Sequence, residues 1–245
     1  MSEQQPTVVF VHGAFAESAS WNGVIERLYA EGIRSVAAAN PLRSLAIDAA
    51  YVRDVIASVD GPVVLVGHSY GGMVITEASA DNDQVAALVY VAAFTPDTGD
   101  SAFALSASEP GSTLGDAIVP HPVSTGGVEF TIRRDVFRAQ FCADVPVNVA
   151  GLMGATQRPV TEQALRDAVQ AQNPGWKGRP SWHIWGAEDR NIPAAVTAKG
   201  AERAGAKVAQ ELPGASHALS VSQPEAVAAI VADAVRAVAP ASAAA

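Results

Sequence analysis

The sequence predicts an α/β fold, with a mainly parallel sheet of about six strands, helices on both faces and an insertion after the fourth strand. Three observations lead to this prediction. Short apolar segments rich in β-branched residues alternate with segments whose apolar residues recur at helical spacing. A glycine-rich turn, residues 67–72, directly follows one of the apolar segments. The alternation stops near residue 95 and resumes only near residue 180.

The first four predicted strands and their helices account for residues 7–94. Residues 7–11 form a continuous apolar and β-branched run, which is typical of a central parallel strand covered on both faces. Apolar residues at helical spacing then predict a helix, and Gly32 supplies its stop. A βαβ succession of this kind forms a right-handed parallel sheet. The expected elements after the first strand are a helix at 21–28, a strand at 33–38, a helix at 45–56, a strand at 63–66, a helix at 73–80 and a strand at 85–92.

The chain after residue 180 returns to the same pattern. Strands are expected at 181–185 and 207–212, and Pro224 opens a closing helix that runs to residue 238. Residues 1–94 and 180–239 are therefore predicted to form one catalytic core, and residues 240–245 a flexible tail. A chain of 245 residues, 49% of them hydrophobic, is large enough for one such domain.

Residues 95–179 break the alternation with Pro, Gly, Ser and Thr among isolated apolar side chains. Because structureless loops of that length are uncommon in compact domains, we interpret this segment as an inserted, partly helical lid. It is called the insertion below. Three of its basic residues are close together, and a solvated helix face explains them better than an acidic substrate does. These residues are Arg133, Arg134 and Arg138.

Composition excludes several classes of protein. The formal net charge of −9 disfavours a nucleic-acid partner, because phosphate binding needs clustered Lys and Arg. No window holds the roughly 20 apolar residues of a membrane-spanning helix, and residues 1–7 lack the basic residues of a signal peptide. We therefore expect a cytoplasmic protein without a membrane partner. An exposed apolar face of the insertion is compatible with a homodimer or with a substrate entrance.

Cysteine usage argues against a disulfide or a metal centre. Cys142 is the only cysteine, so an internal disulfide is excluded. A single thiol does not build a zinc site without several converging His or carboxylate ligands. We interpret Cys142 as a small buried residue, and we expect neither a metal nor a cofactor.

The strongest chemical signal is the stretch Gly67-His-Ser-Tyr-Gly71. It is a G-x-S-x-G sequence between a predicted buried strand and a predicted helix. A serine at this place lies on a tight, strained turn, and the glycines let neighbouring backbone approach, so its hydroxyl projects above the sheet. A G-x-S-x-G sequence by itself also occurs in ordinary turns. The strand and the helix around this one favour Ser69 as a nucleophile.

A serine nucleophile needs a base, and His217 is the best candidate. It lies in the loop 214–219 between the last predicted strand and the closing helix, which places it at the carboxyl edge of the sheet with Ser69. A surface loop histidine is the other interpretation. The remaining histidines are tied to motif backbone, lie in a strand or lie in the insertion: His12, His68, His183 and His121.

The carboxylate that orients the histidine should follow a strand between Ser69 and His217 in the chain. Asp189 meets this condition, and it would hold the imidazole in the correct tautomer and stabilise the imidazolium. Glu188 and Asp97 are the competing carboxylates. Asp189 also has a structural interpretation, as the cap of a helix that begins near residue 192.

Two backbone amides complete the predicted site. The loop after the first strand brings the amide of Ala14 near the serine, and the amide of Tyr70 lies at the start of the next helix, so the two are expected to form an oxyanion hole. Aromatic side chains on the same loops are candidates for an apolar substrate pocket, although such residues are also found as plain core. The pocket candidates are Phe15, Phe94 and His12, with Tyr70 beside them.

These motifs, in this order, resemble the α/β-hydrolase superfamily over nearly the whole chain outside the insertion. The early nucleophile and the stretch Ala92-Ala-Phe-Thr-Pro-Asp97 are most similar to the plant methylesterase and hydroxynitrile lyase branch and its bacterial esterase relatives. The resemblance implies esterase activity on small apolar substrates for Ser69, Asp189 and His217. It also implies that the amides of Ala14 and Tyr70 form the oxyanion hole.

Two departures from that branch favour hydrolysis over lyase chemistry. Members that cleave cyanohydrins often carry a lysine directly after the catalytic histidine, whereas Ala218 stands here. They also commonly replace the glycine of the His-Gly pair, whereas this chain keeps Gly13. The expected function is therefore hydrolysis of a small, largely apolar carboxylic ester or lactone through an acyl-enzyme on Ser69. A lyase of the hydroxynitrile type and a weakly catalytic small-ligand binding protein are the alternatives.

Overall fold

The computed structural model describes residues 4–240, and a parallel six-stranded sheet lies at its centre. In chain order, the strands within that range are β1 Thr7–Val11, β2 Ser35–Ala38, β3 Val63–His68, β4 Val85–Val91, β5 Ile118–Pro122, β6 Val128–Ile132, β7 Val160–Thr161, β8 Ser181–Gly186 and β9 Val208–Leu212. The central sheet has the order β2-β1-β3-β4-β8-β9, and every pair in it is parallel. The predicted α/β fold class is therefore confirmed.

Helices cover both faces of this sheet. Over the same residues they are α1 Asn22–Ala30, α2 Leu45–Ala57, α3 Gly71–Ala78, α4 Ala102–Ser106, α5 Leu114–Ala117, α6 Phe137–Phe141, α7 Val147–Thr156, α8 Glu162–Arg166, α9 Ala194–Arg203, α10 Leu219–Ser222 and α11 Pro224–Val238. Helices α1 and α11 pack on one face, where Val24, Leu28 and Val231 are fully buried. Helices α2, α3 and α9 lie on the other face. Each face of the sheet thus has its own hydrophobic cluster.

The predicted core elements agree closely with the observed ones. Strand β1 and helix α11 have the predicted bounds, and the other core strands differ by one or two residues at an end. Helix α3 begins at Gly71, two residues earlier than expected, because the turn at the nucleophile leads into it without a spacer. Most of the predicted flexible tail, residues 241–245, lies outside the described residues.

The insertion is only partly what the sequence predicted. It contains helices α4 to α8, as expected of a partly helical segment. It also contains a three-stranded antiparallel sheet, in the order β5-β6-β7, which the sequence analysis did not predict. Two prolines in β5 and the very short β7 hide the usual strand pattern there. No helix in residues 4–240 has the length and apolar character needed to span a membrane.

The order in which the chain adds strands to the sheet changes direction between β1 and β3, and this creates a switch point there. The chain goes from β1 to β2 on one side and then returns to β3 on the other. In open α/β sheets, ligands bind outside the carboxyl ends of the strands at such a switch point. The loops after β1 and β3 meet there, and both carry predicted site residues.

Candidate active site

Ser69 lies on a strained turn between β3 and α3. Its φ is +56°, a left-handed conformation that is uncommon for residues other than glycine. The turn packs tightly against the end of β1, and this is possible only because Gly71 has no side chain. A Cβ atom added at Gly71 would lie 2.4 Å from the carbonyl oxygen of Val11. Ser69 is buried and lines a cavity at the end of β3, and strained turns of this kind are typical of functional sites.

The loop after β1 comes equally close to the serine. A Cβ atom at Gly13 would lie 2.6 Å from the Ser69 Cβ and 2.7 Å from the carbonyl oxygen of His68. Only glycine allows this approach, which brings the amide of the following residue, Ala14, beside the nucleophile turn. The glycine of the His-Gly pair thus has a direct steric role.

His217 and Asp189 form a buried hydrogen-bonded pair. The His217 Nδ1 lies 2.6 Å from the Asp189 Oδ2, and the two side chains are 1% and 0% exposed. The other carboxylate oxygen, Oδ1, accepts hydrogen bonds from the amides of Asn191 at 2.8 Å and Ile192 at 3.0 Å. Because the carboxylate is held on both oxygens, it fixes the imidazole with Nδ1–H toward Asp189 and leaves Nε2 for the cavity.

The same cavity is lined by Ser69 and His217. The His217 ring packs edge-on against Phe141, with the ring centroids 5.0 Å apart, and lies 4.6 Å from the ring of His68. Within the described chain no hydrogen bond joins the Ser69 hydroxyl to His217. Such contacts are often loose in ligand-free enzymes and tighten when substrate binds.

Three of the other histidines are poor bases because they are buried, and the fourth lies away from the cavity. Burial lowers the pKa of His12 to about 4 and that of His183 to about 3, and it holds the pKa of His68 well below its ordinary value. His121 lies on the exposed strand β5, where it contacts Thr131. Only His217 combines a carboxylate partner with access to the cavity.

The prediction that His12 lines the pocket is wrong. Its ring is fully buried under the loop, with Nδ1 2.9 Å from the carbonyl oxygen of Gly13. The side chain of Asn40 donates to the carbonyl oxygen of His12 at 2.9 Å. His12 therefore supports the loop that carries Ala14, and it does not contact the cavity.

The two competing carboxylates lie outside the site. Asp97 pairs with Lys177 at 2.6 Å on the surface, and this hydrogen bond holds the pKa of the Asp97 carboxyl below its usual range. Glu188 is exposed. The structure thus brings Asp189, and neither competitor, to His217. Asp189 also accepts from the amide of Ile192, so the predicted capping role and the pairing with His217 coexist.

The amides expected to form an oxyanion hole are free. Ala14 and Tyr70 both line the cavity, and neither N–H donates to any acceptor in residues 4–240. The neighbouring amide of Phe15, in contrast, donates to the carbonyl oxygen of Arg158 at 3.1 Å. Two buried and unused donors beside a serine are suited to a developing negative charge.

The cavity itself is small and apolar. Its volume is about 140 Å³, and its lining contains no Asp, Glu, Lys or Arg side chain. The core contributes Phe15 and Phe94, as predicted from the sequence. Half of the wall comes from the insertion, from which the sequence analysis named no pocket residue. The residues from the insertion are Ala102, Phe103, Ser106, Ser112, Leu114, Gly115, Ile118, Phe141 and Leu165.

The arginine cluster and the cysteine of the insertion do not contribute to the cavity. Arg133 is half-exposed and lies 3.8 Å from Asp135, while Arg138 donates to the carbonyl oxygen of Val145. Burial raises the pKa of the Cys142 thiol to about 12, which makes it unreactive. No group of three His, Cys, Asp or Glu side chains in the described chain is placed to hold a metal ion.

Comparison with known proteins identifies the family. A family model described as the alpha/beta hydrolase family matches residues 8–230. The chain belongs to this family. The family predicted from the sequence motifs is thus confirmed, and the match includes the insertion of this alpha/beta hydrolase.

Solved structures with the same fold include several esterases. Polyneuridine aldehyde esterase superposes with a TM-score of 0.80 at 21% identity, covering 94% of this chain and 99% of that one. A pyrethroid hydrolase from Sphingobium faniae JZ-2 gives 0.75 at 23% identity, covering 95% and 98%. A methylesterase from Arabidopsis gives 0.74 at 20% identity, covering 94% and 99%. At these identities the likeness shows the fold alone.

One curated relative shares a more similar segment. The carbendazim hydrolyzing esterase of Nocardioides sp. (strain SG-4G) is 47% identical over 60 residues. The segment covers 22% of this chain and 25% of that protein, so this alpha/beta hydrolase aligns with about a quarter of its relative's length.

Proposed function

We propose that this alpha/beta hydrolase is a serine-dependent carboxylic ester hydrolase with Ser69, His217 and Asp189 as its catalytic triad. The observation that carries the proposal is the buried His217–Asp189 pair, which opens onto the same apolar cavity as the strained Ser69 turn. Members of the family with similar folds are named as esterases, which supports the same class of reaction for this chain.

The proposed mechanism uses the same groups in both half-reactions. His217 Nε2 takes the proton of the Ser69 hydroxyl as its oxygen attacks the ester carbonyl, and Asp189 stabilises the imidazolium without taking the proton. The amides of Ala14 and Tyr70 donate to the oxyanion. Collapse returns the proton to the departing alkoxide and leaves an acyl-enzyme. Water, deprotonated by His217, then releases the acid and restores Ser69.

The cavity favours a neutral substrate with a small acyl or alcohol group. A cavity of about 140 Å³ with a mainly apolar lining favours small acyl and alcohol groups. An additional carboxylate would be buried there without a cationic partner, which is costly in free energy. A lactone of similar size meets the same groups and is opened by the same steps.

The test is hydrolysis of p-nitrophenyl esters with acyl chains from acetyl to dodecanoyl, together with simple lactones. We expect turnover of the short esters and loss of about 10³-fold or more in kcat in Ser69→Ala. Ser58→Ala is the matched control, because Ser58 is exposed at the end of α2 and far from the cavity.

A phosphonate probe identifies the nucleophile independently. Peptide mass spectrometry should find the adduct on Ser69, and none in Ser69→Ala. Full activity of Ser69→Ala would reject the proposal. Labelling of Ser69 without turnover of any ester or lactone would also reject it and would favour a lyase or a ligand-binding protein.

A further inference from the structure

A short segment of the insertion contacts both loops that carry the proposed acid and base. We infer that Gln140 and Asp144 are positioning residues, which clamp the Asp189 loop and the His217 loop in the orientation that catalysis needs. This inference rests on the proposed function, and it assigns part of the catalytic alignment to the insertion. Both residues lie in or just after the short helix α6.

Gln140 holds the Asp189 loop through its whole side-chain amide. Its Nε2 donates to the carbonyl oxygen of Arg190 at 2.9 Å and to the Oδ1 of Asn191 at 3.1 Å. Its Oε1 accepts from the Thr113 hydroxyl at 2.8 Å. The side chain is only 7% exposed, so these hydrogen bonds are not replaced by water when one is removed.

The contact reaches Asp189 in one further step. Asn191 returns a hydrogen bond from its Nδ2 to the backbone oxygen of Gln140 at 3.3 Å, so the two residues contact each other twice. The backbone amide of Asn191 donates to the Asp189 Oδ1 at 2.8 Å. Fixing Asn191 therefore fixes one carboxylate oxygen of Asp189 and directs the other toward His217.

Asp144 holds the other loop. Its carboxylate accepts a hydrogen bond from the hydroxyl of Ser216, the residue before His217. Although burial acts to raise the pKa of Asp144, the polar groups of Ser216 and Ser222 together outweigh it and hold that pKa below its usual range. The carboxylate is thus ionised near neutral pH, and charge-assisted hydrogen bonds of this kind are the stronger ones.

Phe141 lies between the two contacts and completes the geometry. Its ring packs edge-on against His217, between the residues that hold the two loops. The His217 ring therefore contacts Phe141 of the insertion and His68 of the core. Because the acid and the base come from separate loops of the core, a bridge between these loops limits their relative motion.

The experiment measures kcat and KM for p-nitrophenyl acetate in Gln140→Met and Asp144→Ala. We expect kcat to fall by about 10- to 100-fold with KM changed less than about twofold, because small misplacements of reacting groups cost that much in rate. Gln163→Met and Asp135→Ala are the matched controls. Both are exposed residues of the insertion that do not contact the two loops.

A conservative variant separates positioning from a loss of folding. Asp144→Asn keeps an acceptor for the Ser216 hydroxyl and should restore most of the lost kcat. Ser216→Ala removes the same hydrogen bond from the core side, and the double variant Ser216→Ala/Asp144→Ala should be no slower than either single one. If Asp144→Ala does not fold, Ser216→Ala and Asp144→Asn still test the clamp.

The outcomes distinguish this inference from the proposed function. Unchanged kcat in Gln140→Met and Ser216→Ala, while Ser69→Ala is inactive, overturns the clamp and leaves the triad intact. A rise in KM alone also overturns it, since that result assigns the segment to substrate binding. Activity that survives in Ser69→Ala overturns the proposed function itself.

Discussion

The α/β core and the insertion meet at one cavity, but they are built in different ways. In the core, glycines mark close contacts, as at Gly13 and Gly71, where an added Cβ would meet neighbouring atoms at 2.6 Å or less. In the insertion, Gly115 and Gly151 face open space, although Gly175, where the insertion packs against the core, has no room for a Cβ atom beside Ser79. Both regions expose some large apolar side chains, such as Tyr29 at 81% in the core and Val147 at 71% in the insertion. The core is thus sterically determined around the nucleophile turn, whereas parts of the insertion away from the core have room for larger side chains.

This difference explains how the work at the cavity is divided. The core supplies the proposed reacting groups and amides, which need positions accurate to a fraction of an ångström. The insertion supplies half of the wall, where a change of shape alters which substrate fits. The clamp through Gln140 and Asp144 is where the two regions depend on each other. Whether exposed apolar residues of the insertion support a homodimer stays a prediction.

Glycine substitutions in the two regions should differ most in their effect on kcat. In Gly13→Ala the added methyl group collides with Ser69 and displaces the amide of Ala14, so we expect kcat to fall by about 10²- to 10³-fold, the usual loss for one oxyanion donor. Gly151→Ala, in helix α7, is expected to leave kcat unchanged and to raise stability by about 0.5–1 kcal/mol. Ester hydrolysis and thermal unfolding measure both. Equal tolerance at the two positions would contradict the comparison.

The wall from the insertion should set the acyl preference. Ile118 on strand β5 lines the cavity, and in Ile118→Trp the larger ring fills part of it. We expect kcat/KM for octanoyl esters to fall by about 10-fold or more relative to acetyl esters. Val119→Trp is the control, because adjacent strand residues point to opposite faces and Val119 does not line the cavity. An unchanged chain-length profile in Ile118→Trp would assign specificity to the core instead.

The folding stability should fall in acid because of a histidine buried in the core, and this effect is smaller than the two above. Burial lowers the pKa of His183 from 6.5 to about 3. Between these values the unfolded chain binds a proton and the folded chain does not, so stability is present above pH 6.5 and is lost as the pH falls. The loss is about 1.4 kcal/mol per pH unit for one such group.

The measurement is urea unfolding between pH 7 and pH 5. His183→Phe keeps a ring to stack on Tyr90 and should reduce the slope of stability against pH by one proton. An unchanged slope in His183→Phe would contradict the expectation.

Much of the core and of the candidate site was predictable because the relevant signals are local. The apolar runs of β1 and β4 report burial on both faces, and the G-x-S-x-G turn is contiguous in the chain. Chain order after the strands was enough to select Asp189 and His217. The sequence was misleading at His12, because a residue next to a motif glycine gives no sign of whether its ring faces the cavity or the core.

By itself, then, the amino-acid sequence predicted the parallel α/β core and the position of the nucleophile turn, and it selected the three residues proposed as the triad. Only the tertiary structure decided the walls of the cavity, the antiparallel sheet of the insertion, and the contacts of Gln140 with Asn191 and of Asp144 with Ser216. Those two contacts join residues 51 and 72 positions apart. Hydrogen bonds over such separations leave no periodic pattern in the chain, since they depend on how finished elements pack together.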